Sequence, residues 1–193
     1  MFADTLKRMR ESNGLRQSDI AKKLNTSQSA YSYIESGTRV PGVDLAFRAL
    51  RGAGGQVAFF PTRRLTVAQR AEAIGDALEE GRFSVAYRAF IQVADDLMNA
   101  EPAEAVGLSL TEPELLARSE WANALAALVE YSLHKRTLPV PQWTANYGAP
   151  LERPVALEFS DSLDISFPVD LQLVPPEFAK RNVLLEEPEI VSA

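Results

Sequence analysis

Within the segment NTSQSAYSYIESGTRVP, residues 25–41, short hydrogen-bonding side chains crowd what reads as one helix before Gly37. Hydroxyl and carboxamide groups presented in this way suit the base edges of the DNA major groove, which an α-helix fits and where its first residues reach deepest. Gln28 can bond an adenine through both its oxygen and its nitrogen. Ser27 and Ser29 can donate or accept, and Ser32 and Tyr33, one turn further on, reach the next bases or a phosphate. The same residues have plainer uses. Ser27 is equally a helix cap, and Tyr31 falls with Ala30 and Ile34 on the inward face. Glu35 carries the sign that DNA repels. Around this helix Arg16, Lys22, Lys23, Thr38 and Arg39 are placed to hold backbone phosphates.

Other chemistry finds little support. With no cysteine in the chain, neither disulfides nor thiolate metal sites can form. His134, the one histidine, stands in a basic HKR run at a helix end, where cations favour the negative helix pole. The adjacent carboxylates Glu79 and Glu80, and Asp95 and Asp96, splay apart on a helix and read as solvated faces. No phosphate loop or dinucleotide glycine pattern occurs. The expectation is no catalytic residue, no metal and no cofactor.

Short helices must position the polar segment. FADTLKRMRESNG carries Phe2, Leu6 and Met9 at helical spacing and stops at Gly14; RQSDIAKKLN follows, with Ile20, Ala21 and Leu24 inward and Asn25 as its stop. The polar helix comes third, and a fourth, bearing Val43, Leu45, Phe47 and Leu50, closes at Gly52. GQVAFF reads as a short strand entering a linker. Beyond it, Thr66 caps a helix ended by Gly81, and a second helix from Ser84 should pair with it as a hairpin. Thr111, Pro113 and Glu114 resemble a helix start, for a helix running to Arg136 with a break near Ser119. Alternating apolar residues at Val155, Leu157 and Phe159, and again at Leu171 and Leu173, suggest one or two short strands.

Charge divides the chain in the same place. Through Arg64 there are 11 Lys and Arg against five Asp and Glu, a net of +6; the remainder holds nine against 21, a net of −12. A basic head suits a polyanion, and an acidic body suits a basic partner or simple solubility. The fold expected is mainly α: an N-terminal four- or five-helix domain over residues 1–55, a strand and linker over 56–65, and an acidic α-rich domain with a few short β-strands over 66–193. The N-terminus lacks an apolar leader and no segment approaches the roughly 18 apolar residues of a membrane helix, so a cytoplasmic protein is expected.

Gln17, Ala21, Glu35, Gly37 and Pro41, with Arg10 before them and DLAFRALRGAG after, stand where the helix-turn-helix domain of the lambdoid phage repressors and the XRE regulators has its pattern. The segment resembles that family over about a quarter to a third of the chain. The resemblance implies an internal Arg10–Glu35 pair, and a Gln17 that anchors a phosphate while supporting the reading helix. A second stretch, with Trp121, Pro141, Trp143, Phe178, Arg181, Asn182 and Val183, is similar to the C-terminal part of antitoxins paired with nucleotidyltransferase-like toxins. That likeness implies partner contacts at Trp121, Trp143, Phe178, Arg181 and Asn182, although both tryptophans equally suit a core.

The functional expectation is a sequence-specific repressor, a homodimer on an inverted-repeat operator of double-stranded DNA, acting as antitoxin and autorepressor beside a protein toxin. A ligand-responsive or phage-type regulator without a toxin is the alternative. An enzyme tethered to DNA is the reading from another class.

Overall fold

Left-handed stop residues divide the N-terminal part of the chain into short helices. In the computed structural model, which describes residues 2–57, 59–160 and 169–190, these are α1 (Phe2–Ser12), α2 (Gln17–Lys23), α3 (Gln28–Glu35) and α4 (Val43–Gly52). Asn25, at φ 58°, ends α2. Its N–H reaches the Lys22 carbonyl at 3.1 Å while that of Thr26 reaches Ala21 at 3.0 Å, so the last carbonyls of the helix are satisfied as the chain reverses into α3. Gly14 closes α1 in the same manner. The enclosed core is Leu6, Ile20, Ala21, Leu24, Tyr31, Ile34, Ala49 and Ala53.

The chain divides into two compact units, Met1–Phe59 and Phe60–Ala193. The strand expected in GQVAFF does not form: Val57 and Phe59 are irregular, and Ala58 lies outside the described residues. A lone extended segment has no ladder to satisfy its backbone. Phe59 instead sets its ring edge-on to Phe47 at 5.7 Å.

The second unit is organised by a helix buried on every side. α5 (Val67–Glu79) and α6 (Phe83–Asn99) form the expected hairpin, and Thr66 caps α5 by accepting from the Gln69 N–H at 3.2 Å while the Gln69 side chain accepts from the Thr66 N–H at 3.0 Å. α7 (Pro102–Ser109) was not expected; Pro102 opens it, where its missing N–H costs nothing. α8 (Ser119–Lys135) is the central helix, buried without interruption from Trp121 to Leu133. Its many alanines let neighbours approach closely, and Trp121 meets Phe90 of α6 edge to face at 6.0 Å.

Thr111 does not start this helix. Residues 112–116 are irregular, with Pro113 and Leu116 buried and the Tyr147 hydroxyl donating to the Glu114 carbonyl at 2.6 Å. Tertiary contacts thus overrode the local start signal. A 3₁₀ turn (Gln142–Asn146), β1 (Val155–Ala156), α9 (Pro176–Ala179), β2 (Val183–Leu184) and α10 (Glu187–Ile190) complete the unit. β1 pairs in parallel with β2, Val155 opposite Val183 and Ala156 opposite Leu184. The alternation at Leu171 and Leu173 makes a turn rather than a strand, and residues 161–168 lie outside those described.

Two measurements check this packing. Trp121→Ala is expected to cost about 3–5 kcal/mol, read from chemical denaturation followed by circular dichroism. Burial pushes the phenols of Tyr31, Tyr87 and Tyr147 up to about 12. The folded state therefore holds these protons more tightly than the unfolded chain does. Its advantage is complete below the ordinary tyrosine value of about 10 and is lost as pH rises toward 12, so the denaturation midpoint should fall across that interval together with the appearance of tyrosinate absorbance.

Candidate nucleic-acid interface

An ion pair holds the polar helix to its unit. Arg10 of α1 donates from Nη2 to Glu35 Oε1 at 2.6 Å and from Nε to both carboxylate oxygens at 2.9 and 3.1 Å, while its Nη1 reaches the Leu15 carbonyl at 3.0 Å. Gln17, first residue of α2, donates its amide to the second Glu35 oxygen at 3.0 Å. The Glu35 side chain is 2% exposed and that of Arg10 12%. Hydrogen bonding to Glu35 holds the Arg10 guanidinium above its ordinary value against the opposing effect of burial. One carboxylate thus ties three helices together at the foot of α3.

With that foot fixed, α3 presents two faces. Tyr31, Ile34 and Glu35 are buried, whereas Gln28, Ser29 and Tyr33 are exposed and Ser32 is half-buried. Gln28 and Ser32, like Ser29 and Tyr33, stand one turn apart on the outer face. Ser27 is the cap of the helix, its hydroxyl accepting from the Ala30 N–H at 3.1 Å and lying 3.0 Å from the Ser29 hydroxyl. One lone pair of Ser27 is therefore already used, and either hydroxyl can be the donor in its bond with Ser29. At the far end Ser36 bonds the Thr38 hydroxyl at 2.8 Å, and the Arg39 N–H donates to the Tyr33 carbonyl at 2.8 Å, which folds this loop back over the helix. Ser36, one turn beyond Ser32 on the exposed face, escaped the sequence reading although its spacing marks it.

The basic residues divide by occupation. Arg16, Lys22 and Arg39 are exposed, and Arg16 donates its backbone N–H to Asp19 at 2.9 Å, fixing the start of α2. Lys23 is exposed as well, but its ammonium donates to the Gly52 carbonyl at 3.0 Å, serving the negative end of α4 besides the phosphate role expected of it. The amide of Gln17 is likewise committed to Glu35, which makes it a positioning group first.

In the second unit the residues expected to meet a partner are mostly structural. Trp121 and Phe178 are fully buried and present no surface. Trp143 is half-buried, donates to the Ser109 carbonyl at 2.8 Å and packs edge-on against Tyr147 at 5.2 Å. Arg181 donates to the Thr144 carbonyl at 2.6 Å and lies 3.3 Å from Glu130, while Asn182, at φ 56°, donates to Leu151 at 2.7 Å. Burial by itself would raise the Glu130 carboxyl, but Lys180 and Arg181 outweigh it and hold that group low. These apolar and hydrogen-bonding residue types suit an internal seam as well as an interface, and here they form the seam that carries β2.

His134 sits at the end of α8, 2.9 Å from Glu177, beside a 360 Å³ cleft that Tyr131, Lys135 and Glu187 also line. Tyr131 donates to Glu187 at 2.7 Å and Lys135 pairs with the same carboxylate, so these groups engage one another. Among the described residues no group of three or more acidic, histidine or cysteine side chains is arranged to hold a metal, and no helix is long and apolar enough to cross a membrane.

Breaking the ion pair tests its importance. Arg10→Ala should cost about 3–5 kcal/mol by leaving Glu35 buried and unpaired, whereas Arg10→Met combined with Glu35→Leu should recover most of that loss in the same denaturation experiment.

A helix-turn-helix family model, HTH_3, matches residues 6–56. No curated protein and no solved structure matches the chain. The match begins at Leu6 in α1 and runs past the end of α4, enclosing the Arg10–Glu35 pair and both faces of α3. The N-terminal unit is a helix-turn-helix domain of the XRE type, and the protein that carries it is a DNA-binding transcriptional regulator.

Proposed function

We propose that the protein is a sequence-specific repressor that reads its operator through α3 as a homodimer. The observation that carries this reading is the division of α3 into a buried face of Tyr31, Ile34 and Glu35 and an outer face of Gln28, Ser29, Ser32 and Tyr33. Gln28 is the principal base reader, Ser29, Ser32 and Tyr33 support it, and Ser27 adds a hydroxyl while capping. Arg16, Lys22, Thr38 and Arg39 clasp phosphates on either side. One helix of eight residues spans few base pairs, so selectivity calls for two copies on half-sites about one helical turn, roughly 34 Å, apart. Val43 and Phe47 stand one turn apart on α4 with Phe59 against Phe47, and exposures of 69% for Val43 and 83% for Phe59 leave apolar surface that would favour such association.

For the acidic unit the finer reading is an antitoxin that binds a basic toxin and shuts its own operon. Its support is the surplus of 12 negative charges after Arg64. The cleft beside His134 favours the second reading, a regulator whose operator affinity responds to a small polar ligand.

Operator selection followed by gel-shift titration tests the repressor. Gln28→Ala should weaken the selected operator by about 1–3 kcal/mol and leave non-specific DNA binding unchanged. Lys22→Ala should weaken both alike and shallow the salt dependence by about one counterion per protomer. The opposite pattern would exchange the two roles. Val43→Glu should shift the protein toward monomer in sedimentation and weaken the inverted repeat far more than a half-site.

A further inference from the structure

Along the outer face of α5, Glu72, Asp76 and Glu79 succeed one another at spacings of four and three residues, forming a carboxylate stripe about two turns long. Facing it runs the irregular segment 114–118, held by the Tyr147 hydroxyl on the Glu114 carbonyl and by the buried Leu116. Between the two lies a groove of 300 Å³. Its walls combine the small Ala71 and Gly75 with the apolar Leu78 and Leu116, and Leu115 stands at its lip with 67% exposure. Glu114 adds a fourth carboxylate on the opposite side.

The electrostatics of this groove are one-sided. Glu72, Asp76, Glu79 and Glu114 are exposed, and none is ion-paired among the described residues. Arg118, the one cation lining the groove among the described residues, is already engaged. It lies 2.5 Å from Glu120 and 2.8 Å from Glu158, with its guanidinium 5.0 Å from the centre of the Phe83 ring. An apolar trough rimmed by unpaired carboxylates complements a helix that carries cations beside aliphatic side chains.

We infer that this groove is the docking site for a cationic amphipathic helix of a separate protein, with Lys or Arg at i, i+4 and i+7 against Glu72, Asp76 and Glu79 and an aliphatic side chain seated between Leu78 and Leu115. The chain's own basic helices cannot supply that occupant, because Leu6 of α1 and Ile20 of α2 spend their apolar stripes in the N-terminal core. The inference rests on the acidic unit being a partner-binding module, and it names the surface and the chemistry of the partner. It is independent of the five residues around Trp121 and Phe178 that resemble an antitoxin's.

Fluorescence anisotropy with the full-length protein provides the test. The probe is a labelled synthetic helix about five turns long, with Lys at the stated spacing beside Leu, compared with a scrambled peptide of the same composition. The designed helix should bind with Kd on the order of micromolar and the scrambled one at least tenfold more weakly. Replacing the stripe by Glu72→Gln, Asp76→Asn and Glu79→Gln should raise Kd at least tenfold, and Leu115→Ser, which leaves every charge in place, should raise it several-fold. Equal binding of the scrambled peptide, indifference to both variants, or absence of binding would overturn the proposal. Self-association abolished by Leu115→Ser would overturn it too, by assigning the groove to a second copy. Operator affinity measured on the same preparations should stay unchanged, so a failure of the groove is distinguished from a failure of the DNA-binding reading.

Discussion

A carboxylate buried at the foot of α3 is an expensive choice unless something neutralises it, and the Arg10 guanidinium does so from two nitrogens. The outer face of α3 depends on this pair. Apolar packing at Tyr31 and Ile34 holds the helix against its neighbours but permits rotation and sliding, because hydrophobic contact is not directional. The Arg10 fork and the Gln17 amide are directional, and they fix which residues point outward. Their cost is local and their benefit falls on Gln28 and its neighbours, which never touch them.

The two units solve different problems with helices. The N-terminal one encloses eight buried apolar residues, a small core, and its short helices are ended by residues in the left-handed region. Caps and turns therefore do much of the work of specifying its shape. The second unit surrounds one helix completely, which requires partners on every side of α8: helices on some, and the irregular segments around Tyr147, Leu157 and Phe178 on others. The carboxylates on α5 meet solvent, whereas Asp96 and Glu130 are buried and paired with arginines.

Legibility in the sequence followed the range of the interactions. Helices α1 to α6 were readable because their stops and caps, such as Asn25 and Thr66, act within a few residues of the segment they shape. The start of α8 was not, because Thr111, Pro113 and Glu114 form a sound local signal that the packing of Pro113 and Leu116 overrules. The partner of β1 was equally hidden. Val183 lies 28 positions from Val155, and neither two-residue strand carries an alternation long enough to notice. At the interface the exposed character of Gln28, Ser29 and Tyr33 was legible from helical spacing, whereas the bond from Lys23 to Gly52 joins two helices far apart in sequence.

By itself, then, the sequence determined the polar residue types on the outer face of α3, the helical frame that carries them, and the division of charge between a basic head and an acidic body. These are properties of composition and short-range spacing. Only the tertiary structure decided that Lys23 bonds the end of α4 and Gln17 the buried Glu35, that Trp121 and Phe178 are core, and that Glu72, Asp76 and Glu79 border a groove with Glu114 across from them. The physical reason is common to all of these. Whether a charged or aromatic side chain is spent inside the molecule or left for a partner depends on neighbours that arrive from distant parts of the chain, and no local pattern records their arrival.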